Sequence, residues 1–378
     1  MSKLPSAVFL ISGTAIGAGL VALPLAAANI GIFATLLITI FSLFVAYQTS
    51  MITVNLIEKA GEYLTIVELS KKFSGQLVFG LSMASFYLLS FSLLSVYFVG
   101  TSDIINYFTN LDTAFSVAVC SLIFLVLFSL RFKSFYEINS ALFIVLIISI
   151  LLVIFNTCKL DQIASLPDTK LRFQNIFYFL PIVFTSFGVQ NICSCICQRL
   201  EMDIKQIRKA FLIGISIPAI IYVLWIYTVL QSIYSIDQLF FEKILDHKVG
   251  AGELVNKLCE ASGSSLTEIF FKILTLFAII TSAIGIGVGI ISSLKANVSR
   301  GIDKLIPCIV VAIPTIASLL IPNAFMSILS FGGIIATVFV VFTPFYLLFG
   351  IDRRESVKLK YLVCVLYAIA VVLSELFL

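Results

Sequence analysis

The sequence predicts an all-α polytopic membrane protein of eleven spans, folded as one membrane domain. Three observations predict it. Apolar residues make up 60% of the 378 residues and charged residues only 12%, against about 25% charge in soluble globular domains. The mean hydropathy is +1.13. Apolar runs of the length needed to cross a hydrocarbon core about 30 Å thick recur from end to end and leave no room for a soluble domain.

The runs place spans near residues 8–28, 30–57, 77–99, 113–130, 138–156, 175–197, 209–234, 266–293, 305–321, 324–350 and 359–377. The first run follows a single early lysine, Lys3, but has no small-residue cleavage site after a short core, so it reads as a span and not a removed signal. The third stays apolar towards Phe108, which suits a long or tilted helix. Residues 58–76 carry apolar positions at helical spacing beside charges, the pattern of an interfacial helix. Residues 235–265 are charged around Gly250 and Gly252 and fit two short helices capping one face.

Orientation follows from the basic residues, which favour cytoplasmic loops. With the N-terminus inside, 17 of the 24 Lys and Arg fall on the inside and six outside, with Lys272 in the start of the eighth span. That distribution predicts a cytoplasmic N-terminus, an external C-terminus and an odd span count. It also explains the net charge of +4 without an anionic partner such as nucleic acid.

Most of the eight cysteines lie in apolar runs and read as small packing residues. Cys193, Cys195 and Cys197 are spaced by two, which turns about 200° per step on a helix, so three thiolates would not face one metal; no metal site is expected. The single histidine, His247, reads as a loop residue.

Two spans carry helix-breaking residues at mid-depth. The first reads ISGTAIGAGLVALPLAAANIG, with Gly13, Gly17, Gly19 and Pro24. Glycine costs about 1 kcal/mol in a helix interior and proline about 3. One reading is an unwound stretch at residues 14–19 lining a polar site, since freed backbone groups in lipid must be satisfied internally or face a cavity. Its N–H groups would attract a carboxylate and its carbonyls an ammonium or cation. The other reading is close helix packing through small residues. The sixth span reads FYFLPIVFTSFGVQNICSCICQRL: Pro181 and Gly188 flank Thr185 and Ser186, and Gln190 and Asn191 follow at a depth where unpaired amides are costly. Corresponding interruptions in two halves point to a transporter site. Five spans per half insert the halves in opposite senses, giving an inverted repeat: residues 8–156 and 175–350, with an additional span at 359–377.

The strings GTAIGAGLVALP (13–24), FTSFGVQ (184–190) and RKAFLIGISIPAIIYVLWIYTVL (208–230) resemble the hydroxy and aromatic amino acid permeases, bacterial inner-membrane carriers of tyrosine or tryptophan in the amino acid–polyamine–organocation superfamily. The resemblance covers nearly the whole chain. It implies the LeuT-type fold of five plus five inverted spans with an eleventh helix. It also implies that Thr14, Ala15, Gly17 and Gly19 offer backbone to the substrate's amino and carboxylate groups. Phe184, Thr185, Ser186, Gly188 and Gln190 would form the opposing wall, and Tyr87 or Phe91 would lie over the site. Gln190 stands where many superfamily relatives have a carboxylate, so no proton-carrying acid is present there.

None of the 20 acidic residues falls deep in an expected span; Glu137, Glu268 and Glu375 lie at boundaries. A carrier of cations or polyamines needs mid-depth carboxylates, and a divalent-metal carrier of this fold needs an Asp near the first break. A net-neutral zwitterion fits instead. The 35 Phe and 13 Tyr do not choose an aromatic over an aliphatic side chain, because lipid-facing Phe is expected anyway; the resemblance makes that choice. In the eighth span, FAIITSAIGIGVG, the hydroxyls of Thr281 and Ser282 would in a LeuT-type arrangement face the carbonyls of Gly13 and Ile16, resembling a sodium site. Alternatively they bond back to their own helix. The permease family is regarded as proton-driven, so the coupling ion is H⁺ or Na⁺. Glu268 and Lys272, at i and i+4, read as a surface pair. A membrane enzyme would need clustered Asp, His or Lys, and a channel repeated pore rings; neither is present in the sequence. No cofactor is expected. The remaining rival is a sodium-coupled carrier of other neutral amino acids on the same fold.

Overall fold

The computed structural model describes residues 3–17, 19–109, 112–129, 132–157, 173–246, 248–261, 265–297, 303–321, 325–353 and 358–376. His247 and Cys158 lie outside the described residues, as do the side chains of Glu268, Lys272 and Glu375.

The glycine-rich first span is interrupted. Helix α1 (Lys3–Ala15) and helix α2 (Gly19–Ala27) meet at a bend of 49°. Helix α3 (Ile32–Ala60) ends at Gly61, whose φ of 71° lets its N–H close onto the carbonyls of Ile57 and Glu58. The expected interfacial helix is α4 (Ile66–Phe73), opened by a capping box between Thr65 and Glu68. Helix α5 (Gln76–Thr109) is 34 residues long, about 51 Å. It outruns the expected span because the apolar pattern continues past residue 99, and a helix of that length must tilt in a bilayer. Helices α6 (Thr113–Phe128, capped by Asp112) and α7 (Phe132–Thr157) complete the first half.

The sixth span is also broken: α8 (Phe173–Ser186), a tight turn at Gln190–Ile192, then α9 (Cys193–Arg199). Helix α10 (Ile204–Ile236) follows, capped by Asp203. The charged connection forms α11 (Gln238–Leu245), capped by Asp237, and α12 (Ala251–Ala261), the two short helices its pattern suggests. Helix α13 (Ser265–Asn297) is the eighth span and α14 (Ile306–Leu320) the ninth. The tenth departs from a single α-helix: α15 (Phe325–Ala336) passes through a π-helical turn at Thr337–Phe342 into α16 (Thr343–Ile351). Helix α17 (Leu359–Leu376) is the last. Seven segments are long and apolar enough to span a membrane, the bent α1–α2 pair makes an eighth, and three shorter apolar helices bring the total to eleven among the described residues.

Burial sorts the spans. The sixth and eighth are 83% and 78% buried along their apolar windows, whereas α3 is 33% buried. Every residue of α2 is buried. The outer spans instead present Leu77, Leu122, Phe155 and Leu320 outward, as expected of a lipid-facing surface. The broken helices therefore form the core, with α10 and α13 packed against them.

Three glycines let α13 approach so closely. A Cβ on Gly285 would sit 2.2 Å from Thr14 Oγ1, and one on Gly289 3.1 Å from Asn191 Cβ. Residues four apart share a helix face, so one face of α13 meets both broken spans. Gly287, turned away, takes the ring of Phe128, which a Cβ would meet at 2.2 Å.

Candidate functional site

The bend in the first span frees carbonyls that its own helix no longer reaches, and neighbouring helices supply the donors. Ser282 Oγ of α13 donates to the Gly13 carbonyl at 3.0 Å. The Tyr222 hydroxyl of α10 donates to the Ala15 carbonyl at 2.6 Å. The Trp225 indole N–H, one turn further along α10, donates to the Leu20 carbonyl at 2.6 Å. That last bond has a covalent cause: the α-helical partner of Leu20 would be the amide of residue 24, which is proline and has none. A buried backbone group left unpaired is costly, and these three side chains remove that cost. Ser12 Oγ, donating to the Gly214 carbonyl at 2.9 Å, adds a second tie between α1 and α10.

The second break closes largely on itself. The N–H groups of Phe187, Gly188 and Val189 donate to the carbonyls of Phe184, Thr185 and Phe187 at 3.2, 3.0 and 2.9 Å. Its Ser186 carbonyl also meets α10, lying 3.3 Å from the Tyr222 oxygen. The two breaks are in direct contact: a Cβ on Gly19 would lie 2.8 Å from Ser186 Oγ and 2.7 Å from the Tyr222 oxygen, and one on Gly17 would lie 2.2 Å from Ser282 Oγ and 3.0 Å from the Tyr97 oxygen. Only glycine admits these approaches.

Of the residues singled out from the sequence, the structure brings together Gly13, Ala15, Gly17, Gly19, Ser186 and Ser282. The others point elsewhere. Thr14 bonds back to the Leu10 carbonyl at 2.7 Å and packs against Gly285. The Ile16 side chain is buried and its N–H returns to Ser12 at 2.9 Å. Phe184 packs on Tyr367 of α17, with ring centres 5.7 Å apart. Thr185 bonds back to Pro181 at 2.7 Å, and the Gly188 N–H closes onto Thr185. Gln190 Nε2 donates to Thr49 Oγ1 of α3 at 2.9 Å, while its Oε1 is buried without a partner. Thr281 bonds to the Phe277 and Ala278 carbonyls of its own helix. Adjacent helical residues point about 100° apart, so Ser282 and Thr281 cannot both face the first break.

Tyr87 and Phe91 face α14 and α15 rather than Gly17 and Gly19. They line a cavity of about 670 Å³ with Ile313 and Ala317 of α14 and Ser327 and Phe331 of α15. The α5 residue at the first break is Tyr97, whose hydroxyl oxygen, with that of Ser282, faces Gly17. It lies about 15 Å further along the helix than Tyr87 and about 9 Å beyond Phe91. Tyr222 and Trp225 also escaped sequence reasoning, although their i, i+3 spacing puts both on one helix face. So did Asn139 of α7, whose Nδ2 donates to the Phe9 carbonyl at 3.3 Å beside Gly13, while its buried Oδ1 has no partner.

No charged side chain reaches this centre among the described residues. At the end of the bundle where α1 begins, Lys3 pairs with Glu201 and Arg199 Nε donates to Ser6 Oγ at 3.3 Å. These contacts tie the start of α1 to the turn between α9 and α10. The Lys3 ammonium, through its hydrogen bond and its charge, holds the Glu201 carboxyl below the usual carboxylate range. Glu201 and Met202 both adopt left-handed backbone, with φ of 52° and 56°, which is uncommon outside glycine.

A profile described as the tryptophan/tyrosine permease family matches residues 1–377. Among curated proteins, the chain is 26% identical to glutamine transporter 2 of Aliivibrio fischeri over 94% of this chain and 90% of that protein. It is 25% identical to tyrosine-specific transport system 1 of Haemophilus influenzae, over 96% and 91%. It is 22% identical to a tryptophan-specific transport protein of the same organism, over 89% and 84%. Among solved structures, a Na⁺-coupled sialic acid symporter in a substrate-bound outward-open state superposes with a TM-score of 0.66, covering 100% of this chain and 90% of that one at 12% identity. At that identity the likeness shows the fold alone, and the fold is LeuT-type.

Proposed function

We propose that this chain, which belongs to the tryptophan/tyrosine permease family, imports tyrosine or tryptophan across the bacterial inner membrane by ion-coupled symport and alternating access. The observation that carries this reading is the contact between two helix breaks in mid-membrane, with Gly17 and Gly19 against Ser282 and Ser186. Backbone N–H and carbonyl groups there match the two charges of a zwitterion without a mid-membrane carboxylate. Ala15, Gly17, Gly19 and the backbone of Thr14 belong to one wall of the site, and Ser186, Gly188 and the backbone of Phe184, Thr185 and Gln190 to the other, the side chains of Thr14, Phe184, Thr185 and Gln190 being turned to other partners. Tyr97 is the α5 contribution at the breaks, and Tyr87 and Phe91 lie further along that helix. Ser282 with the Gly13 carbonyl is the remaining candidate for ion contact. The N-terminus faces the cytoplasm, in keeping with the basic-residue bias, which puts the Lys3–Glu201 end inside.

A second reading, a carrier of other neutral amino acids such as glutamine, is favoured by the similarity to a glutamine transporter. Uptake of labelled tyrosine, tryptophan and glutamine into proteoliposomes separates the two, and repeating it with the pH gradient collapsed, with and without sodium, identifies the ion. Saturable tyrosine or tryptophan uptake is expected; neither uptake nor competition by either would overturn the substrate. Gly17→Leu is expected to abolish uptake while the protein still inserts, since a Cβ there already meets Ser282 Cβ at 2.6 Å.

A further inference from the structure

We propose that the Tyr222 hydroxyl is a built-in counter-ligand: in the empty carrier it holds the Ala15 and Ser186 carbonyls that the substrate's amino group takes over, and it withdraws when substrate binds. This rests on the reading of the two breaks as the substrate site.

The geometry is that of a ligand. Tyr222 is fully buried. Its one oxygen lies 2.6 Å from the Ala15 carbonyl and 3.3 Å from the Ser186 carbonyl. It thus meets one carbonyl acceptor from each broken helix, as a substrate's ammonium would. A phenol has one proton, so it serves Ala15 fully and leaves Ser186 the longer, shared contact. An ammonium has three protons and serves both. The absence of a side chain at Gly19 is what lets the phenol in: a Cβ there would stand 2.7 Å from its oxygen and 2.9 Å from Cζ.

The phenol is also free to leave without releasing its helix. Helix α10 is held to the first span independently, by the Ser12 bond to Gly214 and the Trp225 bond to Leu20. The ring itself rests edge-on against Phe187, 5.6 Å between centres. Tyr222 therefore acts on the site and is not needed to anchor α10. Its effect is confined to the empty state: without the hydroxyl, two buried carbonyls lose their donor when no substrate is present, and regain one when substrate binds.

This sets the direction of the test. Y222F destabilises the empty carrier more than the loaded one. Tryptophan or tyrosine binding to the purified full chain is expected to tighten about tenfold, which is 1.4 kcal/mol at 25 °C. Net uptake requires the empty carrier to return and exchange does not, so in proteoliposomes the ratio of exchange to net uptake is expected to rise by a similar factor. Unchanged or weaker binding, or exchange and net uptake falling in step, would overturn the proposal. A second measurement needs no variant. Infrared difference spectra of wild type, tryptophan-bound minus empty, are expected to show a tyrosine C–O band shift, since the ligand has no phenol; no tyrosine band in the difference spectrum would also overturn it. Wild type that binds none of tyrosine, tryptophan and glutamine overturns the site reading as well; wild type that transports, with Y222F unaltered, overturns this proposal alone.

Discussion

The bond from Trp225 to Leu20 makes a quantitative demand on stability. Pro24 deprives the Leu20 carbonyl of its helical donor, and the Trp225 indole supplies one from α10 at 2.6 Å. Trp225→Phe removes that donor and leaves a buried carbonyl unpaired, a cost of about 1–3 kcal/mol. It also trims the ring that packs on Phe271, so the single variant alone does not isolate the hydrogen bond. Pro24→Ala does, because an alanine at 24 carries the missing N–H. In that background the Leu20 carbonyl has its own helical partner and Trp225→Phe costs only the lost packing. The four proteins form a double-mutant cycle with an expected coupling of about 1–2 kcal/mol, read by SDS titration of the purified chain in mixed micelles. Additivity within about 0.3 kcal/mol would refute the argument that the indole replaces the amide proline lacks.

Other perturbations follow from the same contacts. Gly285→Ala drives a Cβ to 2.2 Å from Thr14 Oγ1 and 2.9 Å from Thr14 Cβ, and no rotamer of Thr14 clears both, so a loss of about 1–3 kcal/mol is expected. Gly80→Ala, with nothing within 4 Å of its added Cβ, is expected to gain up to about 1 kcal/mol; thermal unfolding of the two variants checks the contrast. Ser282→Ala leaves the Gly13 carbonyl without its donor and is expected to cost more than Thr281→Ala, whose hydroxyl only bonds back to its own helix; chemical unfolding ranks them. The Asp237 carboxyl is held below its usual range, first by its hydrogen bond from Lys257 and then by the Phe240 N–H. A depressed carboxylate contributes above its unfolded pKa of about 3.9 and is lost as pH falls through the folded value. Wild-type stability is therefore expected to be insensitive to this group at neutral pH and to fall below about pH 4, with Asp237→Asn flattening that fall in a pH series of melting temperatures.

How much of this was legible depends on the range of the interaction concerned. Span number, the α4 and α11–α12 connections and both breaks come from local composition and periodicity, and each is where its glycines, prolines and charges put it. The site was only half legible. Glycine at 17 and 19 announces room for something, but not what fills it, and the partners come from residues 222, 225 and 282, far away in sequence. The residue facing the break from α5 depends on helix tilt, which apolar residues alone do not specify, and this moves it from Tyr87 or Phe91 to Tyr97. The π-helical turn at Thr337–Phe342 has neither glycine nor proline within it and left no mark in the pattern.

The two breaks are held in different ways. The second is closed mainly by its own turn, through the amides of Phe187, Gly188 and Val189, with the following turn tied by Ile192 to Val189 at 3.2 Å. Those bonds travel with the segment and survive any displacement of its neighbours. The first is satisfied from outside, by Tyr222 and Trp225 of α10 and Ser282 of α13. Sliding α1 or α2 along those helices breaks such bonds one at a time, and each broken bond exposes a carbonyl that water, an ion or the substrate must then satisfy. Displacing the first span thus costs hydrogen bonds to its neighbours in a way that displacing the second does not. On these contacts the first span is the element whose backbone pairing depends on its neighbours, α10 above all, and the second is the one that carries its own.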